Sequence, residues 1–230
     1  MYKRQVAALP LGCLTALTAL DLSDNELLVA GTQALAPALD RLRKLAVLNL
    51  EDNAVGIDVG SISATGAAAL APPLGRLAAL TALDLGMNYL RGDAVESLAP
   101  ALSRLSRLAH LVLPSNRMAA TGAAALAPPL GVLTALTLLD LGANDIGGTG
   151  AEALAPALSR LSMLVHLDLS QNDVGSRGAA ALAPALSTLT AMTRLCISAN
   201  CIGDAGVRQL VPALARLTAC LLYTSPSPRD

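Results

Sequence analysis

Leucines recur at fixed offsets ahead of one asparagine, and the whole arrangement repeats along the chain. In one copy the positions are Leu136, Leu139, Leu141 and Asn144. The asparagines of the seven copies are Asn25, Asn53, Asn88, Asn116, Asn144, Asn172 and Asn200. The step between them is 28 residues, except for 35 between Asn53 and Asn88. A fixed period of this length means one supersecondary unit, copied and stacked so that each copy buries its apolar face against its neighbours.

Within a copy, Leu139 and Leu141 alternate as on one face of a short strand. Asn144 marks a tight turn, where its amide can bond backbone groups of its own and the next repeat. Ile146 plugs the core, and Gly147, Gly148 and Gly150 permit unusual dihedrals. Leu154, Leu158 and Leu161 then follow at i, i+4 and i+7, one face of a helix. Pro156 falls inside that stretch. The first four helical N–H groups have no intrahelical partner, so a helix starting near Glu152 or Ala153 and ending near Arg160–Ser162 accommodates it. Strands that return through helices are parallel. Helices are wider than the ~4.8 Å strand spacing, so the stack curves with its strands inside. The expected fold is an α/β solenoid of about seven repeats, a horseshoe with a parallel concave sheet and short helices on the convex side.

The run Leu-x-x-Leu-x-Leu-x-x-Asn-x-Ile-Gly-x-x-Gly-Ala-x-Ala-Leu, best matched at 136–154, 164–182 and 192–210, resembles the leucine-rich repeat of the ribonuclease-inhibitor-like type. The resemblance covers essentially all of residues 6–219. It implies a non-enzymatic scaffold for protein–protein interaction that needs no cofactor. That family also includes the ligand-sensing arms of NOD-like receptors and the small-GTPase regulators of the Ran GTPase-activating type. Copy two departs from the pattern by seven extra residues, Ile57–Ser63, read as a rim loop. In copy three Arg91 and Ala94 replace glycines, and in copy seven Met192 and Ile197 replace leucines.

The period fails at both ends. Residues 1–5 (MYKRQ) and 220–230 (CLLYTSPSPRD) fit no repeat. Read back into codons, the first string is the reverse complement of the start of the second, as in the transposase adaptors of sequencing libraries. The expectation is that 1–5 and 220–230 are adaptor-derived, the latter disordered, and that 6–219 is a fragment of a longer array. Without those ends the net charge moves from −1 to −3. Mild acidity argues against nucleic acid, which favours a basic face. The hydrophobic content is 53 %, but the apolar stretches fall into the repeat frame, so no membrane segment is expected. Cys13, Cys196 and Cys201 sit at irregular repeat positions and offer no disulfide framework, which suggests a reducing, cytoplasmic setting.

Stacking turns repeat positions into columns. One column of the concave face reads Asp21, Asn49, Asp84, Val112, Asp140, Asp168, Cys196. Two residues earlier a parallel column reads Ala19, Val47, Ala82, His110, Leu138, His166, Arg194. The polar members are the candidate contacts for a partner, and the aspartates favour a basic one. On the rim, Ile57, Val59 and Ile62 of the insertion and Tyr89 are further candidates. No metal or catalytic site is expected. His110 and His166 stand two strands apart, roughly 10 Å, and His166, Asp168 and Ser170 are spaced along one strand at about 6.6 Å per step.

Overall fold

Each copy folds as a three-residue strand, a turn and a helix. A computed structural model describes residues 14–55, 57–58, 61–62, 64–217 and 221–222. The strands are β1 (Ala19–Asp21), β2 (Val47–Asn49), β5 (Ala82–Asp84), β6 (His110–Val112), β7 (Leu138–Asp140), β8 (His166–Asp168) and β9 (Arg194–Cys196). The helices are α1 (Leu28–Leu39), α2 (Thr65–Leu74), α3 (Gly92–Leu102), α4 (Ala119–Leu130), α5 (Gly147–Leu158), α6 (Gly175–Leu186) and α7 (Gly203–Leu214). The strands pair in chain order, all parallel, and the two-residue β10 (Leu221–Leu222) continues beside β9. The result is a leucine-rich-repeat solenoid with an open parallel sheet on one side and a row of helices on the other. The segments read as adaptor-derived lie outside the described residues, Leu221–Leu222 excepted.

The core is a ladder of leucines. The middle residue of each strand from Leu48 to Leu195 is almost wholly buried, as are Leu136, Leu141, Leu154, Leu158 and Leu161 in the copy read above. Met192 holds its leucine position at zero exposure, while Ile197 remains only partly buried against the core.

The asparagines form a second ladder inside the first. Asn144 Nδ2 donates to the carbonyls of Leu113, Leu141 and Gly142 at 2.8, 3.0 and 3.1 Å, and its Oδ1 accepts from Asn116 N–H at 2.9 Å. The reach is therefore to its own copy and the preceding one, not the following one as expected. Asn53, Asn88, Asn116 and Asn172 repeat the pattern, all with zero exposure. In every copy the residues just before and just after the asparagine have positive φ, as at Ala143 (54°) and Asp145 (56°). This conformation is unfavourable for residues with a Cβ, and the amide bonds hold the turn in it.

The helices depart from expectation. Helix α5 starts at Gly147, not near Glu152 or Ala153, and ends at Leu158. Gly147 has φ +67°, which lets the chain turn into the helix three residues after Asn144. Its N–H donates to the Asn172 carbonyl of the next copy at 2.8 Å, so a neighbouring repeat takes the role of a side-chain cap. Pro156 consequently sits in the last turn, on the exposed side of the helix, as do Pro37, Pro100, Pro184 and Pro212. There the carbonyl freed by the missing N–H can turn to water.

Gly150 does not serve an unusual dihedral. A Cβ there would come within 2.6 Å of Ile146 Cγ2 and 3.0 Å of the Ala123 Cβ in the adjacent copy. Gly178 and Gly206 are equally crowded. These glycines are where successive helices touch.

Residues 57–62 carry an antiparallel pair where a loop was expected. Strands β3 (Ile57–Asp58) and β4 (Ser61–Ile62) place Ile57 opposite Ile62. The two strands pair within the insertion, between β2 and α2. Val59 lies outside the described residues.

Candidate functional site

The sheet register brings the two concave columns together. Asp21, Asn49, Asp84, Val112, Asp140, Asp168 and Cys196 stand opposite one another on successive strands, as do Ala19, Val47, Ala82, His110, Leu138, His166 and Arg194. His110 and Arg194 are exposed, and Asn49, Asp84, Asp140, His166 and Asp168 are half-buried.

The aspartates have a structural task. Asp84 Oδ1 accepts the Gly86 N–H, and Asp140 Oδ1 the Gly142 N–H, each at 2.9 Å. Asp21 and Asp168 accept from both the N–H and the hydroxyl of Ser23 and Ser170. Each closes the turn that ends its strand. Ser170 therefore folds back onto Asp168 at 2.6 Å, nearer than a straight strand would allow, because the strand has ended at Asp168. The task requires an acceptor but no charge: Asn49 Oδ1 accepts the Glu51 N–H at 2.9 Å in the same way.

The charge has a cost. Burial pushes the Asp84 carboxyl above its ordinary range against the pull of the Gly86 bond, and Glu51, Asp140 and Asp21 add repulsion. Burial likewise raises Asp140, opposed by the Gly142 bond, with repulsion from Asp168 on the next strand. Asp21 is exposed, and its bonds to Ser23 lower it.

A stability prediction follows for Asp140. A carboxyl raised in the folded state binds its proton more tightly there than in the unfolded chain, so it subtracts stability as pH rises through the window just above 3.8. Asp140→Asn keeps the acceptor and removes the charge. It is expected to stabilise the protein by about 0.5 kcal/mol at neutral pH, the scale of one cross-strand like-charge contact partly screened by water. Urea midpoints at pH 7 and at about pH 3 check this, with the gain vanishing at the acid end where the wild-type carboxyl is protonated.

A second feature lies on the rim at the strand ends. Asp52, Met87, Tyr89, Ser115, Arg117, Ala143 and Asp145 line a shallow depression of about 260 Å³. The Arg117 guanidinium lies 5.2 Å from the centre of the Tyr89 ring, a cation–π contact. Tyr89 was legible as a rim contact. That the residues around it share one depression was not, although they are those flanking the asparagines, which the period could have marked as one more pair of columns.

A third grouping was also missed. His166, Asp168 and Cys196 have donor atoms that all lie within 4.8 Å of one another. Reading along one strand hid it, because the cluster is completed diagonally: Cys196 on β9 stands opposite Asp168 on β8.

Comparison with known proteins agrees with the fold. The family model "Leucine Rich repeat" matches residues 14–36, 132–155 and 160–183. No curated protein matches the chain. Among solved structures, the chain is similar to the actin-binding site 2 of leiomodin-1, at 19 % identity and a TM-score of 0.53, over 66 % of this chain and 88 % of that one. It is also similar to an internalin (InlF) of Listeria monocytogenes, at 21 % identity and a TM-score of 0.44, over 94 % of this chain and 64 % of the internalin. At 19 % identity the likeness to leiomodin-1 is one of fold. No helix among the described residues is long and apolar enough to cross a membrane.

Proposed function

We propose that the chain is a non-enzymatic protein-interaction scaffold whose concave face receives a basic partner segment, with the Tyr89–Arg117 rim and the β3–β4 pair as flanking contacts. One observation carries the reading. Four carboxylates, Asp21, Asp84, Asp140 and Asp168, occupy positions whose structural task an amide performs equally at Asn49. At Asp84 and Asp140 the fold gains nothing from the added charge, which burial and mutual repulsion oppose. A cationic partner would relieve that repulsion and be steered by it. The 28-residue period and the helix of about three turns in every copy support the ribonuclease-inhibitor-like subtype, and the free thiols of Cys196 and Cys201 support a cytoplasmic setting.

The test uses a fluorescent arginine-rich peptide and a glutamate-rich one of equal length, with binding read by anisotropy. The wild type is expected to bind the basic peptide alone, more weakly as salt rises. The combined Asp21→Asn, Asp84→Asn, Asp140→Asn and Asp168→Asn variant, which keeps every turn acceptor, should bind it at least tenfold more weakly. Equal binding by that variant would remove the acidic strip from the interface. Acceleration of GTP hydrolysis across a panel of small GTPases would select the regulator reading in its place.

A further inference from the structure

We infer that His166, Asp168 and Cys196 form a zinc(II) site on the concave face between β8 and β9. The register places Asp168 directly opposite Cys196, and His166 precedes Asp168 by two residues on the same face. Their donor atoms already lie within 4.8 Å of one another. Zinc holds imidazole nitrogen and carboxylate oxygen at about 2.0–2.2 Å and thiolate sulfur at about 2.3 Å in tetrahedral array. Tetrahedral ligands at those distances stand roughly 3.3–3.8 Å apart, so small side-chain rotations close the site. Imidazole and thiolate together favour zinc over calcium or magnesium, which take oxygen ligands.

The surroundings point the same way. His166 Nε2 is shielded from solvent and has no hydrogen-bond partner among the described residues, a costly state for a buried polar atom that a metal would resolve. Asp168 is oriented in advance: its Oδ1 accepts from Ser170 N–H and Oγ–H at 2.8 and 2.6 Å, which leaves Oδ2 for a metal and supplies the outer contacts that hold a ligand in place. Asp140 and Asp168 outnumber the single cation Arg194, and a divalent ion bound to the Cys196 thiolate leaves the group neutral. The metal binds the thiolate, and the displaced thiol proton leaves to solvent. His110 begins no such set, because the position corresponding to Asp168 in its strand is Val112. The site shares Asp168 with the proposed peptide-binding strip, but its donor set does not rest on that reading and survives its failure.

The experiment titrates cobalt(II) into the full chain carrying Cys13→Ser, Cys201→Ser and Cys220→Ser, so that Cys196 is the sole thiol. The expected result is a near-ultraviolet thiolate-to-cobalt charge-transfer band that saturates at one equivalent and is abolished by zinc(II). His166→Ala should weaken cobalt binding at least tenfold, and His110→Ala should leave it unchanged. Adding Cys196→Ser should abolish the band. Melting curves with and without zinc(II) separate ligand loss from misfolding: zinc raises the midpoint of the parent, while the Cys196→Ser variant melts as the metal-free parent does in both conditions. Absence of the band with Cys196 as sole thiol, or a band indifferent to His166→Ala, would overturn the assignment.

Discussion

Asn144→Ala is expected to destabilise the protein by about 4 kcal/mol. The side chain is wholly buried and makes four bonds to main-chain groups. Its loss strands the carbonyls of Leu113, Leu141 and Gly142 and the N–H of Asn116. Each buried group left unsatisfied costs roughly 1–3 kcal/mol, and some relax toward other partners. The flanking residues Ala143 and Asp145 also lose what holds them at positive φ. Urea denaturation followed by circular dichroism measures the effect. Asn25→Ala is the internal comparison. Asn25 is exposed, and among the described residues its amide donates only to Leu22 and Ser23 of its own copy, so less than about 1 kcal/mol is expected there. Equal costs at the two positions would show that the ladder between copies is not what stabilises the turns.

Gly178→Val is expected to cost about 3 kcal/mol, the upper range for overpacking a close-fitted site. The first added carbon would stand 2.6 Å from Val174 Cγ1, 3.0 Å from Ala151 Cβ and 3.1 Å from Gly148 Cα. Two of those atoms belong to the neighbouring helix, so relief requires the copies to separate. Gly175 separates this effect from backbone strain. Its φ is +64°, and nothing lies within 4 Å of the place a Cβ would occupy, so Gly175→Ala should cost about 1 kcal/mol, the strain of a left-handed alanine. Thermal melts of both variants rank them. A milder effect at Gly178 than at Gly175 would mean that helix spacing in the stack is soft.

Much of the fold could be read from the chain because the period imposes it. Leu139, Leu141 and Asn144 each specify a role that stacking repeats, and the concave columns follow from counting in steps of 28. What escaped reading depended on relations the period does not encode. The start of α5 at Gly147 rests on a carbonyl supplied by Asn172 of the next copy, and a repeat considered alone has no such partner. The role of Gly150 is likewise set by Ala123 across the helix boundary. In the candidate site, the columns Asp21-to-Cys196 and Ala19-to-Arg194 were legible. The His166, Asp168 and Cys196 cluster runs obliquely between them and was not. The strand pair at Ile57–Ile62 was hidden for a simpler reason: it occurs once, so no second copy marks its pattern.

The bonds that bind each repeat to the one before it are the same at every step, from Asn53 onto Leu22 to Asn200 onto Leu169. Excising one whole period therefore rejoins donors to equivalent acceptors, and the chain can shorten or lengthen by a unit without inventing a contact. Such a protein changes its reach by genetic duplication, and extra residues between strand and helix, like the seven of copy two, leave Asn88 bonded to Leu50 as in every other copy.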